Sequence, residues 1–132
     1  MIDTPKGTIL LLDDDKFLSD MYGIKFSAAG FSVHTSLSTE DALKALREGL
    51  KPDDSVFDLV MPNHDGFSFL QSLISEHLVQ GAVLVALTNQ GDDAEKTKAE
   101  SLGVDRYIVK ASMIPSEVVS AVQEEMAKKS AK

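Results

Sequence analysis

Short apolar runs alternate with helix-like stretches five times along this chain, and four of the runs end in a chemically active residue. Ile9-Leu10-Leu11-Leu12 stops at Asp13-Asp14-Asp15, and Val56-Phe57 stops at Asp58. Val83 to Leu87 stops at Thr88, and Tyr107-Ile108-Val109 stops at Lys110. Alternation of strand and helix implies a parallel sheet with right-handed crossovers and helices on both faces. In such a sheet the carboxyl ends of the strands lie along one edge. The four terminators therefore converge there. Adjacent carboxylates repel one another, and a buried strand end is a poor place to gather them without a neutralising cation. That edge would hold carboxylates, a hydroxyl and an ammonium around a hard cation.

The spacing predicts strands at 8–13, 31–35, up to Asp58, 82–87 and 105–110. The first helix is expected over 15–29, with Phe17, Met21, Ile24 and Ala28 at helical spacing and Gly30 closing it. Ser38-Thr39-Glu40-Asp41 resembles a capping box and opens a helix through about Glu48. Gly66 starts a third helix with Phe67, Leu70 and Ile74 as its inner face. Residues 92–102 form a polar fourth helix, with Asp92 and Asp93 capping it and Asp92 spaced to pair with Lys96. Pro115 opens a last helix carrying Val118, Val119, Val122 and Met126. The first and fourth strands are continuously apolar, as central strands are, whereas the second and fifth alternate, as edge strands do. The strand order that fits is the doubly wound 2-1-3-4-5, with ligands bound near the switch point between strands one and three. Asp13, Asp14 and Asp58 fall there. Asp53-Asp54-Ser55 is too polar for a central third strand, and the sequence offers no reason for it.

At 132 residues and 43% hydrophobic, the chain is one ordinary domain with enough apolar surface for a core. Its core is expected over about 8–126, with 127–132 a flexible tail or truncated linker. No apolar run approaches the roughly 20 residues that cross a bilayer, and the N-terminus has no apolar signal core. There is no cysteine, hence no disulfide framework or thiolate metal site. These features fit a cytoplasmic protein without membrane insertion. Thirteen basic against twenty-one acidic residues, net −8, argues against direct nucleic-acid binding by this chain.

A carboxylate cluster with a backbone carbonyl suits Mg²⁺, which takes oxygen ligands and keeps several waters. One carboxylate can then serve as a nucleophile toward phosphorus. The transferring group spreads charge over three equatorial oxygens, and Lys110, Thr88 and a cation could each meet one.

The acidic pair after the first strand, Asp58-Leu59-Val60-Met61-Pro62-Asn63-His64-Asp65-Gly66, Ala86-Leu87-Thr88 and Asp105 to Lys110 together resemble the receiver domain of two-component response regulators. The resemblance covers about 8–126 and implies a flavodoxin-like fold. It implies that Asp58 is the phosphoacceptor and that Mg²⁺ (or Mn²⁺) is held by Asp13, Asp14, Asp58 and the Val60 carbonyl. Thr88 would be the switch hydroxyl, Tyr107 the switch aromatic and Lys110 the phosphate-binding lysine. The phosphodonor would be a sensor histidine kinase or a histidine phosphotransfer protein. The chain would catalyse only its own phosphorylation and dephosphorylation, and its fourth helix, fifth strand and fifth helix would form the face that changes.

Taken singly, each residue has a plainer role: Asp13 a helix cap, Asp58 a turn opener, Thr88 a strand-end hydroxyl, Tyr107 edge packing, Lys110 a solvated amine. His34, His64 and His77 carry no such support and read as solvated. Two features depart from the family pattern. Ala111 stands where proline is usual after the lysine, so a trans Lys110–Ala111 bond is expected. Asn89 stands where a small residue is usual, and would narrow access to the phosphoryl group. Two other classes compete: a receiver-like interaction module that is never phosphorylated, and a haloacid-dehalogenase-type phosphatase using Asp13-Asp14-Asp15.

Overall fold

The computed structural model describes residues 7–61, 64–89 and 91–130. The first strand, β1 (Thr8–Leu12), is followed by α1 (Lys16–Ala28), β2 (Ser32–Ser36), α2 (Thr39–Arg47) and β3 (Asp54–Asp58). A two-residue ladder, β4 (Val60–Met61) against β5 (His64–Asp65), leads into α3 (Gly66–Ser75). Then come β6 (Val83–Thr88), α4 (Asp93–Ser101), β7 (Arg106–Val109), a 3-10 turn at Lys110–Ser112 and α5 (Pro115–Ser130). The main sheet is parallel in the order β2-β1-β3-β6-β7, which is 2-1-3-4-5 when its five strands are counted alone. This is the expected α/β fold, with the carboxyl ends of β1 and β3 side by side at its centre.

The pattern of burial explains the order. Residues of β3 and β6 are buried throughout, as is β1 beyond Thr8, while β2 is mostly exposed and β7 only half-buried, as befits edges. Alternate residues along each strand feed opposite faces. Ile9, Leu11, Val56, Val85 and Ile108 pack against Tyr22 and Phe26 of α1 and Val118 and Val122 of α5. Leu10, Leu12, Phe57 and Ala86 pack against α2, α3 and Ala99 of α4.

One helix turns inward a different face from the stripe its spacing suggested, and another keeps Leu70 and Phe67 inward but not Ile74. On α1, Ser19, Tyr22 and Phe26 are buried, while Phe17 is 72% and Ile24 67% exposed. Both stripes have helical spacing, but the second carries two aromatic rings, and burying them removes more apolar area from water. On α3, Gly66, Phe69, Leu70 and Leu73 face in and Ile74 is exposed. Gly66 fixes that rotation. A Cβ there would lie 2.4 Å from Leu59 Cα and 2.6 Å from the Asp58 carbonyl, so the glycine lets α3 start directly against the strand end.

The caps follow local chemistry. Asp15, not Asp13, caps α1, its carboxylate accepting from Leu18 N at 3.1 Å. Ser38 caps α2 through Asp41 N at 3.1 Å, and Asp92 caps α4 through Glu95 N at 2.7 Å. With its carboxylate turned to that cap, Asp92 does not pair with Lys96. The last helix continues to Ser130, past the expected start of a tail at 127, because Lys129 reaches back to the Ala82 carbonyl at 2.6 Å and Asp105 at 3.1 Å. The Pro62-Asn63 turn, residues 1–6 and the His64 side chain lie outside the described residues. Among those described, no peptide bond is cis, so Lys110–Ala111 is trans.

Candidate functional site

The acidic end of β1 is held in place by local hydrogen bonds. Asp13 N donates to Ser36 O of β2 at 3.2 Å, and Asp13 Oδ1 accepts from Asp15 N at 2.9 Å, which folds the chain from strand into helix. Asp13 is buried and Asp14 is exposed, so the pair offers one fixed and one solvent-facing carboxylate. At the end of β3, Asp58 is 1% exposed. Its position is braced by Leu59 N donating to Leu87 O at 2.9 Å and by Gly66 N donating to Leu59 O at 3.0 Å. Gly66 is thus part of the site's support, a role visible only once α3 is packed on the strand.

Lys110 reaches over this edge. Its Nζ donates to Asp58 Oδ2 at 2.7 Å and stands 2.8 Å from Asp13 Oδ2, and all three side chains are nearly or fully buried. Burial alone would lower the Lys110 ammonium, but its close contacts with Asp13 and Asp58 outweigh this and raise its pKa above the usual value. The lysine is therefore a fixed cation.

Oxygens of Asp13, Asp14 and Asp58 lie within 4.8 Å of one another. Asp13 Oδ2 is buried and, despite the nearby ammonium, accepts no well-aligned hydrogen bond. Hard, anionic oxygens with unfilled acceptor capacity fit a divalent cation such as Mg²⁺ or Mn²⁺. Val60, whose carbonyl the sequence nominates as a further ligand, follows Asp58 by two residues and pairs with Asp65.

Thr88 ends β6, buried, level with Val109 of β7. Tyr107 stands apart from the acidic cluster, on the α4 side of β7. Its hydroxyl donates to Glu95 Oε1 at 2.6 Å and accepts from Asp92 N at 3.3 Å. Burial and the bond to Glu95 push this phenol up to about 12. Gly91 makes room for it, since a Cβ there would lie 3.3 Å from the Tyr107 hydroxyl and 2.6 Å from Val109 Cγ2. The structure thus brings Asp13, Asp14, Asp58 and Lys110 together, and sets Tyr107 of β7 against α4.

Three participants gave no clear sign in the sequence. Glu95 is one, because its partner is twelve residues away on another element. Tyr22 is the second. It is buried among the residues of the α1–α5 face, and burial holds its phenol above the usual value; Lys110 opposes this, while the charges of Asp13, Asp58 and Asp15 add to it. Its i,i+4 spacing from Phe26 was the available signal. The third is Gly66, as a brace.

Comparison with known proteins agrees with this geometry. Residues 9–123 match the family model of the response regulator receiver domain. The chain is 32% identical over 118 residues to the regulatory protein VanRc of Enterococcus gallinarum, covering 89% of this chain and 49% of that protein. It is 31% identical over 122 residues to the DNA-binding response regulator MtrA of Mycolicibacterium smegmatis, covering 92% and 51%. The chain therefore spans about half the length of these relatives. Among solved structures, a CheY-like receiver domain protein from Methanospirillum hungatei superposes with a TM-score of 0.84 at 20% identity, over 96% of this chain and 98% of that one. Strand order, acidic edge and sequence match lead to one conclusion: the chain belongs to the response regulator receiver domain family.

Proposed function

We propose that the chain is a phosphorylation switch, a single receiver domain with its core over about 8–126, in which Asp58 accepts a phosphoryl group from a phosphohistidine on a sensor histidine kinase or histidine phosphotransfer protein. One observation carries this reading: Asp58 ends a central strand with acceptor oxygens of Asp13 and Asp14 beside it and the Lys110 ammonium 2.7 Å away. An Asp58 oxygen attacks phosphorus, the phosphorus–nitrogen bond of the donor breaks, and the histidine leaves with its electron pair. Lys110 then pairs with a phosphoryl oxygen instead of the free carboxylate, and the Thr88 hydroxyl donates to another. Asp13, Asp14, Asp58 and the Val60 carbonyl would hold Mg²⁺ or Mn²⁺, which supplies charge neutralisation at the phosphoryl oxygens. Water later attacks the aspartyl phosphate and returns Asp58, with Asn89 restricting its approach. The chain acts on itself, not on a separate substrate.

The switch would run through Thr88 and Tyr107 to the face formed by α4, β7 and α5. The support is the make-up of α4, which buries only Ala99 and is otherwise held by polar contacts. Few apolar contacts mean low local stability, so a small differential interaction can shift its population. Relaxation-dispersion NMR should show exchange in 92–110 that changes on activation; unchanged profiles there would contradict this part.

No described helix is long and apolar enough to cross a membrane. With a net charge of −8, we place the chain in the cytoplasm, acting without direct nucleic-acid contact.

The test is intact mass after incubation with Mg²⁺ and acetyl phosphate, wild type beside Asp58→Asn. The expected result is a Mg²⁺-dependent gain of one phosphoryl group in the wild type alone. Beryllofluoride binding is the companion measurement, since it reports the site even where the phosphate hydrolyses quickly. Failure of both would favour a non-phosphorylated interaction module. Turnover of a small phosphomonoester dependent on Asp13 but not Asp58 would favour the phosphatase reading.

A further inference from the structure

The opposite end of the sheet carries a second buried carboxyl that the proposed phosphorylation chemistry does not use. Asp54 opens β3, is 0% exposed, and neither of its oxygens has a hydrogen-bond partner among the described residues. Its neighbours across the sheet are Ile9 of β1 and Val83 of β6, which offer no side-chain donor. Asp54 lies two residues before Val56 and so points to the same side, toward α1 and α5. Among the described residues, the charged groups that face it are Asp53 just before its strand, Lys129 from α5 and Asp105 from the segment leading into β7. The one cation among them is already engaged, since Lys129 donates to the Ala82 carbonyl at 2.6 Å and lies 3.1 Å from Asp105 Oδ2. Asp53 is engaged too, accepting from Thr8 N at 2.8 Å. A cavity of about 170 Å³ lined by Asp53, Gly81, Val83, Met126 and Lys129 adjoins the strand end. Asp54 itself does not line it, so water reaches the carboxyl only if the packing around Val83 and Met126 opens.

An isolated ionised carboxylate in such a place is strongly disfavoured, and the group neutralises instead. We propose that Asp54 is a buried proton-binding site, filled in the resting fold, and that loss of its proton loosens the last turns of α5. Burial holds the carboxyl at about 7, with the charge of Asp53 adding, Lys129 opposing and Asp105 adding a little. Once ionised, Asp54 needs a counter-charge or water. Drawing Lys129 inward supplies the first and breaks its contacts with Ala82 and Asp105, which tie α5 to the sheet. Opening the cavity supplies the second and parts Met126 from the core. Either route acts on the same two turns of helix. This inference stands apart from the phosphorylation chemistry and holds whether or not Asp58 is phosphorylated.

The experiment is a carboxyl-carbon NMR titration of the full chain from pH 4 to 9, with amide-exchange protection of residues 122–130 followed in parallel. The expected result is an Asp54 midpoint near neutral, far above the ordinary aspartate value of about 3.9, and α5 protection that falls through the same midpoint. Lys129→Met should move the midpoint further up, and Asp54→Asn should leave α5 protection without a neutral-range step. An Asp54 midpoint in the ordinary carboxylate range overturns the proposal. So does a step in α5 protection that Asp54→Asn leaves unchanged. The wild-type titration needs no variant to fold and decides by itself whether the site exists.

Discussion

Asp54 and Asp58 stand on one strand, four residues apart and on the same side, and both are buried. They differ in what meets them. At the carboxyl end, Asp58 receives the Lys110 ammonium at 2.7 Å, and the Asp13 and Asp14 oxygens beside it form a cluster that could hold a cation. At the amino end, neither Asp54 oxygen has a hydrogen-bond partner among the described residues, and the nearby Lys129 is directed to Ala82 and Asp105 instead. A parallel sheet therefore holds buried charge more readily at one edge than at the other. Its carboxyl edge is where loops deliver partners from neighbouring strands. Its amino edge here is closed by helix packing, and a carboxyl there is tolerated in the neutral form.

The largest effect should come from removing the partner at the paired end. Lys110→Met leaves Asp13 and Asp58 buried and facing each other without a cation. Breaking a buried ion pair in this way costs about 3–5 kcal/mol. Urea denaturation in a chelator should show that loss, and millimolar Mg²⁺ should recover part of it, since a cation that binds only the folded state stabilises it by mass action. Equal stability of variant and wild type in the chelator would mean the lysine is not compensating the acids.

The second effect has the opposite sign. The folded chain holds the Asp54 proton more tightly than the unfolded chain does, its pKa moved from 3.8 to about 7. Stability is therefore fullest below the unfolded value, declines as pH rises toward 7, and is flat beyond it. A difference of that size between folded and unfolded chains corresponds to about 4 kcal/mol. Asp54→Val should recover up to about that much at pH 8 and far less at pH 5, measured by denaturation at both. A gain independent of pH would assign the effect to packing rather than ionisation.

The two ends of the strand were also unequally readable from the sequence. Asp13, Asp58, Thr88 and Lys110 each end a run of apolar residues, so their convergence could be read from local pattern plus the parallel topology. The polarity of Asp54 and Ser55 was visible, but its meaning required knowing that, among the described residues, neither side chain has a hydrogen-bond partner. The inner face of α1 was not legible because that helix carries two stripes at helical spacing, whereas on α3 Leu70 and Phe67 pack inward as expected and only Ile74 does not. On α3 the choice is made by Gly66 meeting the backbone of Leu59, a contact between elements. The Tyr107–Glu95 bond was hidden for the same reason.

That bond gives a smaller, third effect. Tyr107→Phe removes one hydrogen bond to a charged group at a part-buried site and leaves Glu95 without its donor, a loss of about 1 kcal/mol. It should appear as lower amide protection across α4 with the acidic edge undisturbed. Burial and the bond to Glu95 push the phenol up to about 12, from an ordinary value of 10.0. Its share of stability is complete below pH 10 and disappears as pH climbs toward 12. An ordinary titration midpoint for Tyr107 would mean that this bond does not latch α4 to the sheet.

The smallest effect is expected at Phe17, where charge and apolar surface can be separated at the paired end. Phe17 follows the Asp15 cap by two residues and is 72% exposed, so Phe17→Ser removes little buried area and should change stability by no more than about 0.5 kcal/mol. Phe26, further along α1 and fully buried, is the matched control; Phe26→Ala should cost about 3–5 kcal/mol. Near-neutral behaviour at Phe17 would place the stability of this end of the molecule in the Lys110 ion pairs and the Tyr22–Phe26 face. A loss of several kcal/mol at Phe17 would instead mean that α1 turns its other stripe to the core in solution. That rotation would carry Tyr22 away from Lys110, Asp13 and Asp58, and the paired end would have to be rebuilt from a different helix face.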